Sequence, residues 1–154
     1  MAENPLFKTM LSKAMRHCSQ REICCSDMEA RLESWGVPGP DCLKIITILI
    51  KENFINEERY TRAFVKDKFS YNKWGKIKIA SHLKAKKISS SMISSALESI
   101  DNDLYRNRLK EMIKNHRRSV KAKNWYEMKA KLLRFGLSKG FESSLLYELL
   151  NEED

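Results

Sequence analysis

The sequence predicts an all-α protein of three tandem three-helix repeats in an elongated, curved arrangement. Glycine and proline are scarce, with 5 and 3 in 154 residues, whereas an all-β fold needs a turn about every 8–12 residues. Apolar residues recur at spacings of three and four, which is typical of amphipathic helices. A weak internal repeat of about fifty residues also runs through the chain, and such periods indicate stacked helical units.

The repeat is defined by an apolar residue, a leucine four positions later and a second apolar residue five after that. It occurs at 28–37, 79–88 and 128–137. Further apolar positions follow 8, 9 and 12 residues later in each copy: Ile45, Ile46 and Leu49; Ala96, Leu97 and Ile100; Leu145, Leu146 and Leu149. Each copy therefore predicts two helices joined by a turn, at 36–40, 87–89 and 136–138.

A further helix is predicted before each pair. Its start is marked by Asn4-Pro5 in the first repeat, Asn56-Glu57-Glu58 in the second and Asp101-Asn102-Asp103 in the third, because such residues cap helix N-termini or favour their dipole. We also expect capping by Ser26 with Glu29, Asn124 with Glu127, Ser89 and Ser138, and Pro40 in a first turn. The predicted repeats are 5–55, 56–101 and 102–154.

Positive charge lies in two blocks. The chain has a net charge of +9; residues 59–87 carry ten basic and one acidic side chain, and residues 105–134 carry eleven and two. Blocks of one sign favour a polyanionic partner or an acidic protein surface. The alternative is a set of ordinary solvated helix faces.

The first block supplies most candidate contact residues. A helix predicted to start near 73–76 would present free backbone N–H groups beside lysines, which suits phosphates or carboxylates. Basic residues at 59, 62 and 66 form a stripe on the preceding helix. The candidates in this block are Arg59, Arg62, Lys66, Lys73, Trp74, Gly75, Lys76, Lys84, Lys86 and Lys87.

The second block predicts another basic stripe, formed by Arg106, Lys110, Lys114, Arg117 and Arg118. The candidates here are Arg117 and Arg118 with the following Lys121 and Lys123. Two tryptophans, Trp74 and Trp125, begin the second helices of their repeats. They could stack on nucleic-acid bases, but packing of one helix against the next is the favoured interpretation.

Catalytic and metal-binding motifs are absent from the sequence. Cys18, Cys24, Cys25 and Cys42 lack the paired spacing of zinc sites, so we expect buried free thiols and no metal. The three histidines fall in separate repeats, and no nucleophile, phosphate-loop or dinucleotide motif occurs. No apolar run approaches the roughly 20 residues of a membrane span, and the N-terminus lacks secretory features. We therefore expect a cytoplasmic protein that is not an enzyme.

Two segments carry a resemblance to a known family. Residues 53–68 and 74–88, together with Arg21-Glu22 and Gly36-Val37, resemble the RecX family of RecA modulators. Lys87 stands where that family usually has glycine, and Glu57-Glu58 stands where it usually has aspartates. The resemblance implies tandem three-helix repeats and no cofactor.

The resemblance also implies a function. A RecX-like protein would bind the RecA–DNA filament and modulate, mainly inhibit, its recombinase, ATPase and coprotease activities, within DNA repair, recombination and the SOS response. It would bind single- or double-stranded DNA weakly, would not bind membranes and would act as a monomer. Two alternatives remain open: a direct DNA-binding protein that uses helix-turn-helix-like units, and a helical scaffold for another acidic partner.

Overall fold

The computed structural model describes residues 5–152. Within this range it contains nine α-helices and no β-strand, so the all-α prediction is confirmed. In chain order the helices are α1 Pro5–Gln20, α2 Cys25–Ser34, α3 Gly39–Lys51, α4 Glu57–Ser70, α5 Lys76–Ala85, α6 Ser90–Glu98, α7 Asn102–Arg117, α8 Trp125–Ser138 and α9 Ser143–Glu152.

The chain divides into two compact units, with a boundary that falls within α4. The first unit extends to Phe64 and includes Lys86–Ile88, and the second holds Val65–Ala85 and continues from Ser89. The first core centres on Met28, Leu32, Ile45 and Leu49. The second contains fully buried side chains from α5, α7, α8, α9 and the turn between α8 and α9, and each contributes about 1.5–3 kcal/mol by leaving water. They are Ile79, Leu83, Leu109, Leu132, Phe141, Leu146 and Leu150. The three repeat boundaries stay a prediction.

Four of the predicted helix caps are confirmed. The Asn56 carboxamide accepts the Arg59 N–H at 2.9 Å, and the Asp101 carboxylate accepts the Leu104 N–H at 2.8 Å. Asn124 caps α8 by accepting the Glu127 N–H at 2.9 Å, and Ser89 caps α6. Pro40 lies in the first turn of α3, as predicted. Because caps satisfy amides that the helix leaves unpaired, they mark where helices begin.

Two other predicted caps are wrong. Residue Cys24 is the N-cap of α2, without a side-chain hydrogen bond, while the Ser26 hydroxyl donates to the Lys86 carbonyl at 2.9 Å. Ser138 ends α8 and donates to the Phe135 carbonyl at 2.7 Å, so it does not cap α9. The Asn4 cap lies outside the described residues.

The third repeat is displaced by one helical turn from the predicted register. Helix α8 continues through the expected turn at 136–138, and Leu137 is 46% exposed. Gly136 is buried inside the helix, where an added Cβ would lie 2.2 Å from a methyl carbon of Leu146. Its missing side chain makes room for Leu146, so the glycine serves close packing and not a turn.

In the corrected register the first and the third apolar positions of the pattern are buried in all three repeats. Phe141 takes the place predicted for Leu137 and matches Val37 and Ile88, while Leu132 matches Met28 and Ile79. The Val37 N–H donates to the Leu32 carbonyl and the Phe141 N–H to the Gly136 carbonyl, both at 3.1 Å. These matching bonds show that Gly136 occupies the place of Leu32.

Each second helix ends at a residue with left-handed backbone, followed by a buried apolar side chain. The residues are Gly36, Lys87 and Gly140, with φ of +80°, +64° and +91°. This is the usual geometry of a helix C-terminus, and glycine adopts it most easily because it has no Cβ. Lys87 is therefore a strained exception.

Replacing Lys87 with glycine should stabilise the protein. A left-handed conformation costs an ordinary L-residue about 1 kcal/mol, and the exposed Lys87 side chain has no partner among the described residues to offset that cost. We expect Lys87→Gly to raise the free energy of unfolding by about 1 kcal/mol in urea titrations. Lys84→Gly, in the helical part of α5, should instead lower it by a similar amount, and the opposite order would contradict the strain.

Candidate functional site

The start of α5 is occupied by other parts of the second unit. The Gly75 N–H donates to the Lys139 carbonyl at 2.7 Å, and the Ile77 N–H donates to the Gly140 carbonyl at 3.0 Å. The Lys76 N–H donates to the Tyr105 hydroxyl at 2.9 Å. The prediction of free amides at this helix start is therefore wrong, and these N–H groups do not form an anion site.

Gly75 is required by the same contact. A Cβ at this position would lie 2.4 Å from both the carbonyl carbon and the oxygen of Gly140, and 2.5 Å from the Phe141 nitrogen. Because these are backbone atoms, they cannot rotate away as a side chain could. The glycine thus permits close approach of α5 to the end of α8, and its role is structural.

Tyr105 completes this junction. Its ring is 4% exposed and lies between Phe69 and Phe141, with centroid distances of 5.7 and 5.1 Å. Its hydroxyl donates to the Glu142 carboxylate. Burial, and then this hydrogen bond, raise the pKa of Tyr105, so the phenol stays protonated at neutral pH.

Both candidate tryptophans are half-buried and contact neighbouring side chains. Trp74 lies against His82, with ring centroids 4.5 Å apart, and the ammonium of Lys78 is 4.6 Å from its ring. The guanidinium of Arg117 lies 4.7 Å from the Trp125 ring. These contacts favour packing over base stacking.

Two of the candidate cations stabilise the first unit. Arg59 forms an ion pair with Glu22 and also donates to the carbonyls of Asn53 and Phe54, both at 3.3 Å, just after α3. Lys86 donates to both carboxylate oxygens of Asp27, at 3.0 and 2.7 Å. Their charges are already compensated, which makes them poor contact residues for a partner.

The remaining cations of the first block differ in whether they already contact another side chain of the protein. Arg62 pairs with Glu58 one turn earlier on the exposed face of α4, at 2.8 Å, a pair worth about 0.3–0.5 kcal/mol. The ammonium of Lys76 lies 4.7 Å from the Tyr105 ring. Four cations of this block, within the described residues, have exposed side chains that form no hydrogen bond or ion pair. They are Lys66, Lys73, Lys84 and Lys87.

Three cations of the second block meet at one groove. The groove has a volume of about 570 Å³ and lies between α7 and α8, where it is lined by Lys110, Lys114 and Arg117 around Ile113, Leu132 and Trp125. Asn107 and Glu111 complete its wall. Lys110 and Lys114 were absent from the predicted candidates, although their spacing in the basic stripe indicated a shared face.

The rest of the second block lies on either side of this groove. Arg106 is paired with Glu148 at 2.8 Å and with Glu152, both on α9. Beyond α7, the Lys131 ammonium donates to the Lys121 carbonyl at 2.6 Å, which ties the linker to α8. The side chains of Arg118, Lys121 and Lys123 are exposed.

The cysteines are free thiols, with Cys24 and Cys42 buried and Cys18 and Cys25 partly exposed. Burial, and then the carboxylate of Glu57, raise the pKa of Cys25 to about 11. Because the thiolate is the reactive form, this thiol is unreactive at neutral pH. Among the described residues, no group of three or more histidines, cysteines or carboxylates is placed to hold a metal ion, and no helix is long and apolar enough to cross a membrane.

Comparison with known proteins gives a family match in the middle of the chain. The model of the RecX second three-helix domain matches residues 56–97, which covers α4 to α6. A crystal structure of regulatory protein RecX superposes with a TM-score of 0.86 at 21% identity, over 95% of this chain and 71% of that one. The chain is thus similar to RecX in the segment that covers α4 to α6, and the superposition shows that the two proteins share a fold.

A second crystal structure has the same fold. RecX from Lactobacillus salivarius superposes with a TM-score of 0.81 at 20% identity, over 95% of both chains. At such identities, the structural likeness establishes the fold of tandem helical repeats. No curated protein matches the sequence significantly. The segment matched by the RecX domain model includes Lys66, Lys73 and Lys84, together with the structural residues Trp74 and Gly75.

Proposed function

We propose that this chain is a regulatory protein that binds the RecA–DNA filament and mainly inhibits its recombinase, ATPase and coprotease activities. The observation that carries the proposal is the match of residues 56–97 to the RecX second three-helix domain. The protein acts as a cytoplasmic monomer without cofactor or catalytic chemistry, and it binds bare DNA weakly.

The first proposed contact surface consists of the exposed lysines of the middle segment, Lys66, Lys73 and Lys84. Each lacks an intramolecular partner within the described residues, so no existing ion pair must be broken before it meets an acidic side chain or a phosphate. Complementary charge accelerates encounter and fixes orientation at an interface. Arg59 and Lys86 form ion pairs within the first unit. Gly75 packs closely against Gly140, and Trp74 packs against His82, so these four residues are not part of the proposed contact.

The second proposed contact is the groove between α7 and α8. Its cations, Lys110, Lys114 and Arg117, surround an apolar floor that includes Leu132. Such a groove suits an acidic segment with one apolar side chain, because charge and apolar surface are then both matched. Arg118, Lys121 and Lys123 extend the positive charge along the following linker.

Direct DNA binding is the competing function. The exposed lysines without an intramolecular partner favour it as much as they favour binding to the filament, because they can meet the phosphates of bare DNA equally well. The two functions differ in their dependence on RecA and on salt. A direct DNA binder should bind duplex DNA tightly without RecA, with affinity falling steeply as salt rises. A filament regulator should bind bare DNA weakly and gain at least tenfold in affinity when RecA coats the DNA; fluorescence anisotropy of the labelled protein separates the two.

A further inference from the structure

A polar cavity in the first unit lies outside the predicted contact surface. It has a volume of about 450 Å³ and is lined by side chains from the end of α1, from α2, from the segment between them and from Tyr60 of α4. Its polar and charged lining residues include His17, Arg21, Glu22, Asp27, Arg31 and Ser34. Cavities of this size are large enough for a small ligand.

Positive charge is in excess around this cavity. Both carboxylates are already engaged, since Glu22 pairs with Arg59 and Asp27 pairs with Lys86 at 2.7 Å. The guanidinium groups of Arg21 and Arg31 have no ion pair or hydrogen bond with any described residue, although they line one cavity. The site therefore holds two uncompensated positive charges.

The histidine in the wall is also unsatisfied. The Nε2 atom of His17 is shielded from solvent and has no hydrogen-bond partner among the described residues, whereas buried polar atoms nearly always have one. Burial, and then the positive charges of Arg31 and Arg21, lower the pKa of His17. An anion beside these groups would relieve that repulsion.

We propose that this cavity binds a phosphate group between Arg21 and Arg31. The planar guanidinium group donates two parallel hydrogen bonds to phosphate oxygens, and a phosphate monoester carries about −1.5 to −2 charge at neutral pH, which matches two arginines. The aromatic residue at the wall, Tyr60, is 8% exposed and offers little surface for stacking a base. The cavity therefore recognises the phosphate group itself, which can be a free ion or part of a nucleic-acid backbone.

The test is calorimetric titration of the full chain with inorganic phosphate at constant ionic strength. We expect saturable binding with one site, and a pKa of the His17 ring, followed by NMR, that rises when phosphate is bound. Other titratable or charged side chains face this cavity and also affect the pKa of His17: Glu22, Asp27, Arg21, Arg31 and Tyr60. The pKa of His17 is therefore compared with and without phosphate in the same protein. Absence of saturation, or an unchanged His17 pKa at saturation, would overturn the proposal.

Two charge-matched variants separate the site from general attraction. Arg21→Gln with Arg31→Gln removes the proposed phosphate donors and should weaken binding at least tenfold, because each charge-assisted hydrogen bond is worth about a factor of ten. Lys8→Gln with Arg16→Gln removes the same charge from another basic groove on α1 and should leave affinity unchanged. Equal losses in both variants would show that only net charge attracts phosphate.

A short single-stranded oligonucleotide identifies the source of the phosphate. If the Arg21/Arg31 variant loses inorganic phosphate binding and an equal factor in oligonucleotide affinity, the cavity takes a backbone phosphate. If only inorganic phosphate binding is lost, the cavity takes a free phosphate. Either result supports the site, and both are independent of RecA, so failure here leaves the proposed regulatory function untouched.

Discussion

Reversing the charge of Lys66, Lys73 and Lys84 together should raise the protein concentration needed to inhibit RecA at least tenfold. Each lysine is exposed and lacks an intramolecular partner within the described chain, so Glu substitution removes no internal contact. At the interface it replaces attraction by like-charge repulsion, which costs several kcal/mol, and about 1.4 kcal/mol corresponds to a factor of ten. The measurement is the inhibition of single-stranded-DNA-dependent ATP hydrolysis over a range of protein concentrations.

A matched control distinguishes this surface from net charge. Lys8, Lys44 and Lys51 are exposed on α1 and α3, and reversing them changes the charge by the same amount. The control should inhibit within about twofold of wild type, and far-UV circular dichroism should show both variants folded. A folded Lys66/Lys73/Lys84 variant with wild-type potency would exclude the middle segment as the contact and direct attention to Lys110, Lys114 and Arg117.

Gly75→Ala should destabilise the protein by about 3 kcal/mol or more. The new methyl group would lie 2.4 Å from backbone atoms of Gly140, so α5 and the end of α8 must separate. That movement also lengthens the hydrogen bonds from Gly75 and Ile77 to Lys139 and Gly140. Overpacking alone costs typically 1–3 kcal/mol, and the lost bonds add to it.

Urea unfolding followed by circular dichroism measures this effect. Gly39→Ala is the control, because a Cβ there meets nothing within 4 Å, and it should change the free energy of unfolding by no more than about 0.5 kcal/mol. Equal stability of the two variants would show that the contact between α5 and the end of α8 is not rigid.

Features encoded by neighbouring residues could be predicted from the sequence. The all-α class follows from helical spacing of apolar residues, and the starts of α4, α6, α7 and α8 follow from Asn56, Ser89, Asp101 and Asn124. Each signal acts within three or four residues of the position that it determines. The left-handed backbone at Lys87 belongs to the same class, because it accompanies the end of a helix.

Features that depend on distant residues could not be predicted. Gly136 has the appearance of a turn glycine, yet it lies inside α8, where Leu146 of α9 fills the space that a side chain would need. The amides at the start of α5 looked free, but their acceptors at Lys139 and Gly140 belong to another repeat. Local sequence contains neither partner.

The candidate site also combines features that could be predicted from neighbouring residues with features that depend on distant ones. The basic blocks and their helical stripes were visible in the sequence, but the pairing of Arg59 with Glu22 and of Lys86 with Asp27 depends on tertiary contacts. Because of those pairs, Arg59 and Lys86 are not part of the proposed contact surface, which consists of Lys66, Lys73 and Lys84. The cavity proposed to bind phosphate was not predicted, since Arg21 and Arg31 line one cavity only when α2 packs beside the end of α1.

The most direct test of the proposed function is ATP hydrolysis by the RecA of the same organism on single-stranded DNA, with and without this protein. Preformed filaments are mixed with increasing concentrations of the wild-type chain at fixed salt. We expect hydrolysis to fall with increasing concentration at levels well below those at which the chain binds the bare DNA. Unchanged hydrolysis at saturating concentrations, or a loss that simply tracks occupancy of bare DNA, would contradict regulation through the filament.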